Sequence, residues 1–161
     1  MHVDRLRRHA AGHADGEAIH RRCNAVVALS AWFDVVAEGP TIVRTAEELE
    51  VLLDQVADLE GPTIVELFVD GDLGRAVLDV GLHGAHGILY YAGGEHRDGT
   101  LSKAVDRVDV APVLYYYMNN DREFPADAEV SVALVRAAAH QYMETGGDRP
   151  TAVDWQPRSG N

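Results

Sequence analysis

The chain has 161 residues, a net charge of −12 and a single cysteine, Cys23. This length suits one domain with a true core, and a lone thiol excludes an internal disulfide framework, so we expect a protein of the reducing cytoplasm. The negative charge argues against direct binding of nucleic acid, which needs a basic face, and suits a cationic protein partner. No stretch approaches the roughly 20 apolar residues that span a bilayer, so no membrane partner is expected.

The first 23 residues differ in charge from the rest of the chain. They hold five arginines against three carboxylates, a net +2, which leaves −14 for residues 24–161. They contain no apolar segment of the kind found in secretory signals. We predict that residues 1–23 form an accessory segment, either a helix or a flexible arm, and that residues 24–161 form a single α+β domain.

The first half of the chain predicts strands around one helix. Residues 24–33 are too apolar throughout for a half-solvated strand, so we predict a first strand there, inside a sheet. Thr45 stands three residues before Glu48, the capping-box pattern, and apolar residues follow at helical spacing up to a stop at Gly61-Pro62. Further strands bounded by Gly- and Asp-rich turns are predicted at residues 63–69, 75–80 and 87–92.

The second half predicts a strand, a loop, a helix and a strand. Residues 93–99 are predicted as a loop, and the bulky run Val113–Met118 as a strand buried on at least one face. The Asn- and Asp-rich residues 119–129 are predicted as a loop, because these types favour turns. Residues 131–145 have a one-sided helical pattern that ends at two glycines, and residues 151–155 then return as a short strand.

The order of these elements predicts an α+β fold, with a mainly antiparallel β-sheet of about five to seven strands and two principal helices packed on one face. In the second helix the predicted apolar stripe includes Leu134 and Tyr142. On this basis Leu134→Asp should unfold the domain by burying an unpaired charge, whereas Glu129→Ala should not.

Three segments of the second half, in this order, resemble a known family. Val113–Met118 (VLYYYM), Glu123–Val130 (EFPADAEV) and Thr145–Gln156 (TGGDRPTAVDWQ) resemble immunity protein family one of bacterial polymorphic toxin systems, which is common in actinobacteria. The looser likeness of residues 28–34 and 45–49 extends the match to about residues 26–156. The resemblance implies a non-enzymatic inhibitor that binds a cognate secreted toxin, such as a nucleic-acid deaminase or another toxin acting on nucleic acids.

The residues give little independent support for catalysis. Of the eight histidines, His83 and His86 are the tightest pair, but no cysteine or carboxylate cluster stands beside them at ligand spacing, so we predict no metal site and no cofactor. Glu123 and Asp127 have no histidine at a fixed spacing that would complete an acid–base pair. We therefore predict no catalytic residue.

The acidic and aromatic end of the predicted strand and its loop is the candidate partner-binding site. Tyrosine offers a rigid ring with a hydroxyl, and carboxylates can bind Arg or Lys in the substrate groove of a basic toxin domain. Alternation must send either Tyr116 or the Tyr115/Tyr117 pair to the core, and the sequence leaves that choice open. The candidates, including two residues of the loop after residue 92, are Tyr115, Tyr117, Asn119, Asn120, Asp121, Glu123, His96 and Asp98.

Two alternatives belong to other functional classes. A small-molecule-binding accessory protein or an enzyme with the same fold would have a deep pocket lined by Tyr117, Glu123 and His96, with a perturbed titration. A structural partner domain would instead assemble through the basic residues 1–22.

Overall fold

The computed structural model describes residues 27–72, 74, 76–107 and 111–158. The predicted accessory segment at residues 1–23 lies outside them. The described residues form one ten-stranded sheet and two helices, α1 (Ala46–Ala57) and α2 (Val132–Thr145), which confirms the α+β class with more strands than predicted. The strands are β1 Leu29–Trp32, β2 Thr41–Val43, β3 Thr63–Val69, β4 Val77–His83, β5 His86–Gly93, β6 His96–Lys103, β7 Val113–Tyr117, β8 Asn120–Phe124, β9 Val130–Ser131 and β10 Asp154–Pro157.

The main sheet is antiparallel, in the order β10-β6-β5-β4-β3-β1-β2. Three strands lie off this path. β9 pairs with β5, and β7 pairs with both β8 and the start of β3, where Thr63 and Tyr116 are parallel partners. The β7–β8 hairpin is therefore attached to the edge of β3 at one end, and the rest of it packs over one face of the sheet.

Side-chain caps set where the helices begin. In α1 the Thr45 hydroxyl accepts a hydrogen bond from the Glu48 amide at 3.1 Å, as the capping-box pattern predicts, although α1 ends at Ala57, before the predicted stop. In α2 the Ser131 hydroxyl accepts from the Leu134 amide, and Gly146, at a φ of 71°, ends the helix in the left-handed conformation. Neither helix is long and apolar enough to cross a bilayer, which holds for every helix in the described ranges.

Both helices pack on the same face of the sheet, as predicted. Their apolar stripes meet alternate residues of β3, β4 and β5, and the core between them includes Leu49, Leu53, Val65, Leu67, Leu78, Val80, Leu89, Val135 and Tyr142. Leu134 lies at the margin of this contact and keeps 41% of its surface exposed, whereas Glu129 is only 5% exposed. The expectation that Leu134 is a core position and Glu129 a dispensable one is therefore wrong.

Two segments predicted as loops contain strands. Residues 119–129 hold β8 and a short 3-10 turn at Ala126–Ala128, and residues 93–99 hold the beginning of β6. In β8 (NDREF) only Phe124 is apolar and buried, and the other four residues are exposed. This strand is ordered by its backbone pairing with β7. Such a strand has no alternation of apolar and polar residues in its own sequence, so it could not be predicted from the sequence.

Candidate partner-binding surface

The sheet face opposite the helices has a smaller core of its own, closed by the β7–β8 hairpin. It consists of Ile64, Ile88, Leu101, Tyr115, Phe124 and Ala128. The ring of Tyr115 is fully buried and meets Phe124 edge-on with 5.8 Å between centroids. A buried ring offers no surface to a partner, so the prediction that Tyr115 contacts the partner is wrong. Tyr115 instead holds the hairpin in place.

A buried carboxylate fixes the Tyr115 ring. The Tyr115 hydroxyl donates to Glu129 Oε1 at 2.8 Å, and Arg107 Nη1 donates to Glu129 Oε2 at 2.5 Å. Burial and the hydrogen bond to the Glu129 carboxylate raise the pKa of Tyr115, so its hydroxyl remains a donor. Tyr115 in β7 is thus hydrogen-bonded to Glu129, which lies just before β9 and α2.

The two asparagines of the candidate site build the hairpin turn. Tyr117 and Asn120 are cross-strand partners, so Met118 and Asn119 form a two-residue connection with φ values of 50° and 64°. Positive φ at both positions is the geometry of the tightest hairpin turns, and asparagine tolerates it well. The Asn120 amide donates to the Met118 carbonyl at 3.0 Å, and both asparagines are exposed at the tip.

The outer side of the hairpin combines two large apolar side chains with two carboxylates. Leu114 and Tyr116 are 46% and 43% exposed. Their cross-strand partners are Glu123 and Asp121, both exposed. We call these four residues the outer hairpin patch. Sequence reasoning listed Asp121 and Glu123 but missed Leu114 and Tyr116, which the alternation of β7 identifies once Tyr115 is assigned to the core.

The inner side of the hairpin faces the sheet. The Tyr117 hydroxyl lies 3.4 Å from Glu66 Oε1, to which it donates, and the guanidinium carbon of Arg122 lies 5.0 Å from the centre of the Tyr117 ring. Burial and the charge of Glu66 raise the pKa of Tyr117 to about 12. Tyr117 is therefore half-buried between a carboxylate below it and a cation at its side.

Beneath the hairpin, two carboxylates stand side by side on the sheet. The strand register places Trp32, Glu66, Asp79 and Tyr90 in one row across β1, β3, β4 and β5. Asp79 is 2% exposed, and burial together with the neighbouring Glu66 raises its pKa well above the usual range for aspartate. Arg122 Nη1 lies 3.8 Å from Asp79 Oδ2, whereas Oδ1 has no hydrogen-bond partner among the described residues.

A groove opens over this row. Its volume is about 410 Å³, and Asp79 and Tyr90 line its floor, with residues of β8 and the end of β10 at its sides. Sequence reasoning missed Glu66 and Asp79 as site residues. The available signal was that each is the only acidic residue within a mostly apolar predicted strand.

Residues 37–157 match the family model of Immunity protein Imm1. The chain belongs to the Imm1 family. The match spans β2 to β10 and so includes the whole hairpin, the two carboxylates and both helices, which confirms the resemblance predicted from the sequence. A search of curated proteins finds no match.

In this Imm1 protein, the two candidates on β6 are separate from the hairpin. The His96 ring meets Tyr91 with 6.3 Å between centroids, and Tyr91 donates a hydrogen bond to the carbonyl of Gly147, just after α2. His96 thus lies on the helix-bearing face, opposite Tyr117. Asp98 is exposed further along β6. The Imm1 fold brings together the candidates on β7 and β8 but does not bring His96 to them.

Proposed function

We propose that this Imm1 protein binds the toxin domain of a cognate secreted toxin and masks its active site, docking through the outer hairpin patch. Family membership supplies the class of function. The observation that supports this surface is the exposed pair Leu114 and Tyr116 flanked by Asp121 and Glu123, on a hairpin whose other side is anchored in a core.

The physics of interfaces favours such a patch. A central aromatic or apolar anchor rimmed by charged groups is the usual composition of an interface hot spot, and tyrosine loses little side-chain entropy on binding. Because Tyr115 and Glu129 already hold the hairpin, docking does not have to order it, and that lowers the cost of association.

Charge supports a basic partner. The chain carries −12 overall, and Asp121 and Glu123 place two carboxylates beside the anchors. A toxin that acts on nucleic acid needs a basic substrate groove, which such a surface attracts and covers. The proposed partner is accordingly a basic toxin domain that acts on nucleic acid, such as a deaminase, and inhibition requires no covalent chemistry by the Imm1 protein.

The test uses the C-terminal toxin domain of the secreted protein that we expect the neighbouring gene to encode. Its affinity for the purified chain is measured by calorimetry, and rescue of growth is scored on co-expression. Tyr116→Ala should weaken binding by about 30-fold, the loss typical of a hot-spot residue. Val51→Ala is the matched control, because Val51 is 58% exposed on α1, on the other side of the molecule. Equal affinities of the two variants would remove the hairpin from the interface.

The groove over Asp79 favours a second candidate function. A polar cavity with a buried carboxyl of raised pKa is what a small-molecule-binding protein or an enzyme would have. Of the three residues predicted for that alternative, Glu123 lines the groove and His96 lies on the opposite face. Turnover of a metabolite by the purified chain, abolished in Asp79→Asn, would establish the enzyme and displace the inhibitor.

A further inference from the structure

The carboxyl of Asp79 is the least satisfied polar group in the described part of the chain. It lies in the middle of β4 and lines the groove, its side chain is 3% exposed, and its Oδ1 has no hydrogen-bond partner among the residues that the structure describes. A buried acceptor without a hydrogen bond destabilises a fold, because the acceptor has lost its water and has gained no donor in exchange. An unpaired buried oxygen of a residue that lines an open groove therefore points to a ligand that supplies the missing donor.

The surroundings select a cation. Glu66 stands directly across from Asp79, and Asp121 and Glu123 line the groove or its rim, so four carboxylates face two arginines, Arg122 and Arg158. Directly opposed like charges on a sheet repel each other, and this repulsion is one reason why the pKa of Asp79 is raised. A cation between the two carboxyls removes the repulsion and favours the ionised form of Asp79. An anionic or purely apolar ligand would leave the repulsion in place.

The protein's own arginines show which cation suits the site. The guanidinium carbon of Arg122 lies 5.0 Å from the centre of the Tyr117 ring, and that of Arg158 lies 5.6 Å from the centre of the Tyr90 ring. Two of the aromatic side chains near the carboxylate pair, Tyr117 and Tyr90, thus already stack with a guanidinium. Arginine combines a planar group for such rings with a fork of donors for carboxylates, which an ammonium lacks.

We propose that the groove over Asp79 receives an arginine side chain of the toxin domain, whose guanidinium donates to the free Oδ1 of Asp79. The groove, about 410 Å³, falls within the roughly 300–1,000 Å³ range of ligand pockets and is adjacent to the outer hairpin patch through Asp121 and Glu123. This inference rests on the proposed function, since it assigns the arginine to the toxin.

The first experiment needs no toxin. N-acetyl-L-arginine amide is titrated into the full chain at low salt, and amide signals are followed by NMR, with N-acetyl-L-citrulline amide as the neutral isostere. The arginine probe should shift the signals of Glu66, Asp79 and Tyr90 saturably, the citrulline probe should not, and Asp79→Asn should weaken binding by about ten-fold. Equal shifts from both probes, no shift at these residues, or unchanged affinity in Asp79→Asn would overturn the proposal.

A second measurement separates this proposal from the proposed function. Asp79→Asn preserves the size of the side chain, and thermal melts verify that the variant is folded. Calorimetry with the neighbouring toxin domain should then show an affinity about ten-fold below that of the unaltered chain. If the toxin domain binds tightly and Asp79→Asn leaves its affinity unchanged, the arginine site in the groove is refuted but the inhibitor function is not. If the arginine probe binds but the toxin domain does not, the proposed inhibition of this toxin is refuted, and the groove remains a binding site for guanidinium groups.

Discussion

Glu129→Ala should cost far more stability than Leu134→Asp, the reverse of what the sequence pattern predicts. Glu129 is 5% exposed and accepts from both the Tyr115 hydroxyl at 2.8 Å and Arg107 at 2.5 Å. Removing one member of a buried charged pair costs about 3–5 kcal/mol. We expect the lower end of this range, about 3 kcal/mol, because the buried Tyr115 hydroxyl loses its acceptor whereas Arg107, which is 27% exposed, still reaches water. That is a large share of the roughly 5–15 kcal/mol by which a domain is stable.

Leu134→Asp acts on a different kind of position. Leu134 is 41% exposed, so its replacement loses only part of the roughly 1.5–3 kcal/mol that full burial provides. An aspartate in the first turn of α2 also gains about 0.3–1 kcal/mol from the helix dipole. We expect a net cost of about 1 kcal/mol and a folded domain.

Urea unfolding followed by circular dichroism measures both changes on one scale. Glu129→Gln is the matched control, since it keeps an acceptor for the Tyr115 hydroxyl and should lose less stability than Glu129→Ala. If Leu134→Asp lowered the free energy of unfolding as much as Glu129→Ala does, the placement of Glu129 in the interior would be refuted.

Three further predictions concern the face under the hairpin. Gly81→Ala should cost about 1–3 kcal/mol in urea unfolding, because its Cβ would lie 2.7 Å from an Ile88 carbon and 2.9 Å from a Tyr115 carbon; an unchanged midpoint would contradict that packing. Burial and the neighbouring Glu66 raise the pKa of Asp79, against the opposing charges of Arg122 and Arg158, so the folded state binds the Asp79 proton more tightly than the unfolded state does. Asp79 should therefore make stability fall as pH rises from about 4 through the folded pKa. Asp79→Asn should remove this fall and be at least as stable as the unaltered chain at neutral pH. Thermal melts over a range of pH would measure both effects, and melting temperatures of the two chains that change with pH in parallel would refute the raised pKa. Ultraviolet titration should show Tyr117 ionising at about 12, and the loss of that step in Tyr117→Phe identifies it; a step near 10 would contradict its half-buried position.

Much of the architecture could be predicted from sequence because local signals agree with the fold. Thr45 and Ser131 lie where the helices begin, Gly146 where α2 ends, and residues 63–69 form β3 as predicted. These elements have strong caps or long apolar patterns. β8 and the start of β6 have neither, because both are ordered by pairing with a neighbouring strand.

The candidate site could be predicted only in part, for a related reason. The first strand of the hairpin was predicted from its composition, with a loop in place of β8. Which tyrosine faces outward depends on tertiary packing, in which Gly81 leaves room for the Tyr115 ring. The pairing of Glu66 with Asp79 depends on the register of β3 and β4, which one sequence does not determine. His96 was a candidate because it lies in a segment predicted as a loop, but its ring contacts Tyr91 on the other face of the sheet.

The most direct test of the account measures the activity of the neighbouring toxin domain, on its own substrate, against increasing amounts of this Imm1 protein. We predict that activity falls to the background at equimolar inhibitor, and that Tyr116→Ala shifts the curve to higher concentration while Val51→Ala does not. Full toxin activity in the presence of excess, folded protein would contradict the central claim that this chain inhibits by covering its partner's active site.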